Sequence, residues 1–148
     1  MTAPESVRPL AGVEVDRWDA VREEARAIRY DVFVIEQGVP VELEWDEWDD
    51  QCWHALARDT AGRAVATGRL LPDGHIGRMA VRKEARGTGV GARVLEVLID
   101  KARSLGYPEL ILNAQTHAMP FYVRAGFTAE GAEFEEAGIP HRTMRRVL

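Results

Sequence analysis

Arg86-Gly87-Thr88-Gly89-Val90-Gly91 follows the apolar run Ile76-Gly77-Arg78-Met79-Ala80-Val81 and precedes Val94, Leu95, Leu98, Ala102 and Leu105, which recur at helical spacing. The stretch reads as a glycine-rich turn between a strand and an amphipathic helix. Such a turn leaves several backbone N–H groups unpaired and pointing one way, and the helix dipole adds partial positive charge there. The arrangement suits a phosphate or pyrophosphate. Glycine fits because a side chain would obstruct the approach of backbone to an anion, and because positive φ is open to it. The bland alternative is a tight strand–helix connection with no ligand.

Two common phosphate loops do not match. A P-loop closes on Gly-Lys-Ser/Thr, whereas Gly91 is followed by Ala92-Arg93. The dinucleotide fingerprint begins directly after its strand and needs an acid at the end of the next one. Here Arg82 to Arg86 intervene, and the next strand-like run, Leu110-Ile111-Leu112-Asn113, ends without an acid.

What remains is Arg-x-x-Gly-x-Gly, carried by Arg86, Gly89 and Gly91. It resembles the acetyl-CoA loop of the GNAT N-acetyltransferase superfamily, Gln/Arg-x-x-Gly-x-Gly/Ala. Further on, Pro120-Phe121-Tyr122-Val123-Arg124-Ala125-Gly126-Phe127 resembles that family's aromatic-Tyr-x-x-x-Gly-Phe segment. Val34-Ile35-Glu36-Gln37-Gly38-Val39-Pro40 and Glu136-Ala137-Gly138-Ile139-Pro140-His141 are similar to its ElaA-like branch. The likeness spans roughly Arg29 to Val147. It implies an α/β fold in which a mixed sheet flanked by helices is splayed between its central strands, with acetyl-CoA in the splay.

The remaining sequence agrees with one such domain over residues 1–148. Hydrophobic residues make up 46% and charged residues 29%, a soluble globular balance. The formal net charge of −5 disfavours nucleic acid as the main ligand and is compatible with a cationic amine acceptor. No apolar run approaches the roughly 18 residues of a membrane span. Met1 to Ser6 read as loose and lack the basic and apolar regions of a signal peptide. Cys52 stands alone, so a reduced, cytoplasmic setting is expected.

Trp18, Val21, Ala25, Ile28 and Val32 predict a first helix, with Asp16 as a possible N-cap and a break around Gly38-Val39-Pro40. Strands are expected over Trp53–Arg58, Ala64–Leu71, His75–Val81, Tyr107–Asn113, Phe127–Gly131 and His141–Val147, with a short helix at Pro120–Arg124. Thr60-Ala61-Gly62 and Asp73-Gly74 read as turns, and Gly106 as a helix stop.

The chemistry of acetyl transfer sorts the candidates. An amine must lose its proton to attack, since only roughly one lysine-like amine in 10³ is neutral at pH 7. The oxyanion needs a donor, and the departing thiolate gains from a positioned acid. The resemblance assigns that acid to Tyr122, beside Phe121. It gives the backbone of Met79, Ala80 and Val81 to the pantetheine arm, and the phosphates to Arg86, Gly87, Thr88, Gly89, Val90, Gly91 and Ala92. Asn113, read as the end of its strand, could bond the pantetheine or place a water, with Gln115 a weaker candidate. His75 and His141 are the candidate bases, being of the right type to titrate near neutrality. Water-relayed proton loss is the alternative. Glu36, Gln37 and His141 are the candidate acceptor contacts.

The four histidines show no metal-type spacing, and no Gly-x-Ser-x-Gly elbow occurs, so neither a metal nor a hydrolase is expected. The acidic run Glu42 to Asp50 reads either as a solvated loop anchored by Trp45 and Trp48, or as a collector of cations. The expected activity is direct transfer from acetyl-CoA to a primary amine, small or peptidic. The rival readings are a CoA-binding module without turnover and an acyltransferase using a longer acyl-CoA. A homodimer is compatible with the resemblance.

Overall fold

Trp18, Val21, Ala25 and Ile28 bury one stripe of helix α1 (Trp18–Arg29), as their spacing predicts. The computed structural model describes residues 10–148, so Met1 to Ser6 lie outside it. Asp16 is not the cap of α1. A strand that the sequence reading missed, β1 (Leu10–Arg17), runs directly into the helix and keeps Asp16 in its ladder opposite His54. Arg17 takes the N-cap position, and no side chain caps the first turn. The helix continues past Arg29 as a wider π-helical stretch, Tyr30–Glu36, closed by a Gln37 N–H to Val32 carbonyl bond of 3.1 Å. It ends at Gly38, in the left-handed region at φ +71°. A short helix α2 (Val41–Glu44) follows.

Strands β2 (Trp53–Asp59), β3 (Ala64–Leu70) and β4 (Ile76–Val81) join β1 in an antiparallel sheet of order β1-β2-β3-β4. Every residue of β3 is buried. Helix α1 covers one face of this sheet and α3 (Val90–Ser104) the other, and the small residues Ala55, Ala57, Ala64 and Ala66 let both approach. Val94, Leu95, Leu98, Ile99 and Ala102 form the buried stripe of α3. Each large apolar side chain there contributes roughly 1.5–3 kcal/mol by leaving water.

A second antiparallel sheet holds β5 (Glu109–Gln115), β6 (Thr128–Glu136) and β7 (Ile139–Val147) in the order β5-β7-β6, and α4 (Met119–Arg124) packs beside it. Strand β5 begins two residues later than predicted. Gly106, at φ +79°, closes α3, and the Tyr107 N–H still bonds back to Ala102 at 3.0 Å, so Tyr107 belongs to the helix end. At its other end β5 stays paired with β7 through Gln115, so Asn113 is not the strand's last residue. Strand β6 also passes well beyond Gly131, because Gly131, at φ +75°, is absorbed in a bulge between Glu130 and Phe134.

The expected splay lies between the sheets. Strands β4 and β5 run parallel and meet at one bridge, His75 with Ile111, where the Ile111 N–H bonds the Gly74 carbonyl at 3.1 Å. Beyond it no ladder joins them. The two strand edges diverge, with backbone groups unpaired across a wedge. The parallel element of the mixed sheet is thus reduced to this bridge, and both sheets are otherwise antiparallel. Among the described residues no helix is long and apolar enough to cross a membrane.

Candidate active site

The wedge has two faces. Leu110, Leu112 and Ala114 of β5 point into the core under α3 and α4, so Ile111, Asn113 and Gln115 point to the opposite side. On β4, Met79 faces α3. A Cβ added to Gly68 would lie 2.5 Å from its sulfur and 3.3 Å from Val94. Ala80 faces α1.

On the α3 side lies the glycine turn. Gly87 and Gly89 have φ of +77° and +83°, and nothing crowds either of them. Backbone conformation is what selects glycine at these two positions. Gly89 is the N-cap of α3 and offers no side-chain cap, so the first N–H groups of a 15-residue helix are left for an outside acceptor. Gly91 differs. A Cβ there would stand 3.3 Å from Val81 and 3.6 Å from the Phe121 ring, so its bareness lets the turn seat against β4 and α4. Thr88 spends its hydroxyl on the Ala85 carbonyl. Val90 is buried, and Ala92 lines an open groove of about 370 Å³ between α3 and α4, shared with Phe121, Arg124 and Arg146.

Tyr122 is also on this side, buried between Phe121 and Phe127, whose rings meet it edge-on at centroid distances of 5.0 and 6.1 Å. Burial pushes its phenol up to about 12. It is a neutral donor at any physiological pH.

The opposite face gathers polar groups. Gln37 and Gln115 pair amide to amide, with Gln115 Nε2 donating to Gln37 Oε1 at 2.9 Å. His141 stands directly opposite Gln115 in the β5–β7 ladder and is 7% exposed. Its Nδ1 lies 2.7 Å from the Ile139 carbonyl, which can only accept, so Nδ1–H is the donor of that bond and Nε2 is the nitrogen left toward the cleft. Nε2 is 3.5 Å from a Glu136 carboxylate oxygen, and the ring stacks on Phe134. Asn113 is exposed and accepts the Thr143 hydroxyl at 3.1 Å. His75 is placed apart, at the closed end of the wedge. Its Nδ1 is 3.0 Å from Asp73, and its side chain is 41% exposed. From its partner Ile111 to Gln115, the partner of His141, is four residues of β5, roughly 13 Å.

Arg86 and Glu36 bridge the opening. Arg86 Nη2 lies 2.8 Å from a Glu36 oxygen, and Arg86 Nε donates to the Val81 carbonyl at 3.1 Å. A residue read as a phosphate contact and one read as an acceptor contact thus hold each other.

Sequence reasoning missed Arg78. Strand β4 carries a bulge here: Thr67 pairs with Ala80 and Arg69 with Gly77, so Arg78 and Met79 together oppose Gly68. Arg78 sits at φ +50°, a conformation costing an L-residue about 1–2 kcal/mol. Its guanidinium reaches the Glu44 carbonyl at 3.0 Å, the Leu43 carbonyl at 3.3 Å and Asp46 at 3.2 Å. These acceptors belong to the acidic run, in which Glu42, Glu47 and Asp50 are exposed as a solvated loop predicts, whereas Glu44, Asp46 and Asp49 are ion-paired within the fold. Glu44 and Asp49 are buried against Arg29 at 2.5 and 2.9 Å, and Asp46 and Asp49 meet Arg69 at 2.6 and 2.9 Å. Trp45 and Trp48 are half exposed and anchor nothing in the core. Burial raises the Asp46 carboxyl, but bonds and charge from Arg69, then charge from Arg78, outweigh it and hold it down at about 2. Burial, with the charges of Arg69 and Arg29, lowers Arg78. Among the described residues no three His, Cys, Asp or Glu side chains gather as a metal site.

Known proteins are similar to this chain in sequence and fold. Residues 20–148 match the family model "Acetyltransferase (GNAT) domain". The Bacillus subtilis protein named Uncharacterized N-acetyltransferase YjcF is 38% identical over 128 residues, covering 84% of this chain and 91% of that protein. The crystal structure of an acyl-CoA N-acyltransferase from Pseudomonas aeruginosa superposes with a TM-score of 0.81 at 31% identity, covering 93% of this chain and 99% of the other. Escherichia coli ElaA superposes with a TM-score of 0.80 at 27% identity, covering 90% and 97%. With its wedge between parallel strands and its glycine turn at an uncapped helix, this chain belongs to the GNAT family of acetyltransferases.

Proposed function

We propose that this protein moves the acetyl group of acetyl-CoA directly to a primary amine while both are bound. The observation that carries the reading is the wedge, whose two unpaired strand edges lead from the glycine turn to the polar groups gathered on the far face. The fit to acetyl-CoA is chemical. The free N–H groups at the start of α3 suit phosphates, and the unpaired edges of Met79 to Val81 and of β5 suit the amides of a pantetheine arm. The bound thioester supplies an acyl carbon whose C–S bond breaks as the C–N bond forms.

The chain's own groups divide the remaining work. Gln37, Gln115 and His141 receive the amine on the α1 face, and His141, its Nδ1–H engaged by the Ile139 carbonyl, offers Nε2 to take a proton from the attacking nitrogen. Tyr122 works from the other face as a hydrogen-bond donor to the departing sulfur. Burial pushes its phenol up to about 12, so it meets the sulfur protonated and can donate to it as charge grows there. His75, half exposed and bonded to Asp73, is the reserve base through water.

The same reading places the protein in the cytoplasm as one domain, acting on a small or peptidic amine. Calorimetric titration of acetyl-CoA and CoA into the wild type and Gly89→Trp tests it, followed by a panel of amines with thiol detection. Saturable binding lost in the variant, with thiol released in the presence of an amine, is the expected result. A folded wild type that binds neither ligand would end the proposal. Binding without turnover across the panel would leave a CoA-binding module.

A further inference from the structure

We infer that Arg78 is a positioning residue that holds the β4 bulge in register with the bound thioester by tethering it to the acidic segment Leu43–Asp46. The inference rests on the acetyltransferase reading above, because that reading sends the thioester along Met79 to Val81.

Three observations carry it. First, the bulge has two residues, Arg78 and Met79, against Gly68, and it interrupts the β3–β4 ladder between Gly77 and Ala80, so it sets the register of the Ala80–Val81 segment that borders the wedge. Second, its first residue has positive φ, a position that bulges of this kind usually give to glycine. An arginine kept at a glycine-type position indicates that the side chain does something glycine cannot. Third, that side chain ends on the backbone carbonyls of Leu43 and Glu44 and on Asp46, all on a segment that is itself fixed. Arg29 holds Glu44 and Asp49, and Arg69 holds Asp46 and Asp49. Arg29 and Glu44 are only 1% and 3% exposed, so the anchor is rigid. A line of direct contacts therefore runs from the buried ion cluster through Arg78 to the backbone beside the reacting carbon. Arg78 touches neither substrate in this scheme. It sets where Met79 and Ala80 present their backbone groups.

Arg78→Gly separates the two parts of the idea, since glycine relieves the backbone and deletes the tether. The expected result is a kcat lowered by about tenfold or more, an acetyl-CoA dissociation constant within about threefold of wild type by calorimetry, and an unfolding midpoint that does not fall. Arg78→Lys, which can still donate to one carbonyl, should recover part of kcat. Amide hydrogen exchange at Met79 and Ala80 should quicken in Arg78→Gly. Wild-type kcat in Arg78→Gly, or a loss confined to acetyl-CoA affinity, would overturn the inference. If the wild type turns over no amine, the acetyltransferase reading fails. Hydrogen exchange then decides the tether alone: unchanged exchange at Met79 and Ala80 in Arg78→Gly would overturn it.

Discussion

Arg86 Nη2 and Glu36 Oε2 stand 2.8 Å apart, so the guanidinium nearest the glycine turn is already paired with a carboxylate from the end of the π-helical stretch. Any phosphate approaching the turn meets a cation that is partly neutralised. Glu36→Gln removes the competing anion and should tighten acetyl-CoA binding by a few-fold, while Arg86→Ala should weaken it. Both groups are partly exposed, so the effect should shrink as salt rises. Calorimetry at low and high ionic strength reads both arms.

The glycines of the turn should respond differently to alanine. Gly89→Ala keeps space around it but forces an L-residue to φ +83°, at about 1–2 kcal/mol. Gly91→Ala has no such φ and instead presses a methyl against Val81, 3.3 Å away, and Phe121. Urea denaturation should show the Gly89 variant destabilised by the backbone term. Gly89→Asn should lose less than Gly89→Ala, because asparagine enters the left-handed region more readily.

On the proposed mechanism, Tyr122→Phe removes a hydroxyl that acts on the substrate rather than on the core. Stability should change by less than about 1 kcal/mol, while kcat falls by about 10- to 100-fold. The phenol's folded value, near 12, lies above its unfolded value near 10. Its contribution to stability is thus complete below pH ~10 and is lost as the pH climbs through about 12. Tyr122 should therefore impose no alkaline limb on the kcat profile below pH ~10. A limb there that vanishes in Tyr122→Phe would contradict its assignment as a neutral donor.

Acid should find the weak point in the ion cluster. Asp46 is held at about 2, and Asp49 is also lowered: burial opposes ionisation there, but bonds and charge from Arg29 and then Arg69 outweigh it. A depressed carboxyl stabilises the fold above its unfolded pKa near 4 and loses that contribution as the pH falls toward the folded value. Unfolding midpoints should drop between pH ~4 and ~2. Asp49→Asn removes the carboxylate shared by Arg29 and Arg69, which keep Glu44 and Asp46, and should cost about 1.5–3 kcal/mol at neutral pH. The pH dependence of that variant should be flatter than wild type.

The sequence was most legible where a residue type answers a local rule. The turn Arg86–Gly91 announces itself because positive φ demands glycine, and α1 and α3 because apolar residues recur at helical spacing. Strand β1 was opaque: Val13 and Val15 are its only β-branched residues, and Gly12 directly precedes them. The end of β5 was misread because Asn113 resembles a turn former, whereas pairing with Thr143 carries the strand on to Gln115. The partnership of His141 with Gln115 and Gln37 joins segments far apart in the chain, and no spacing reveals it. Arg78 was hidden for the same reason. Its conformation depends on how β3 and β4 fall out of register, and its partners lie more than thirty residues away.

Strand β7 follows β5 and β6 in the chain yet lies between them. During synthesis β5 emerges with one edge on the open wedge and the other awaiting a neighbour that the ribosome has not yet made. Strand β6 cannot take that place without displacing β7. The nascent chain thus spends the making of some thirty residues with a two-edged strand exposed, the kind of surface that seeds misassembly and that chaperones cover. Leaving the wedge open for a ligand therefore has a biosynthetic consequence, concentrated in the interval before Ile139–Val147 is made.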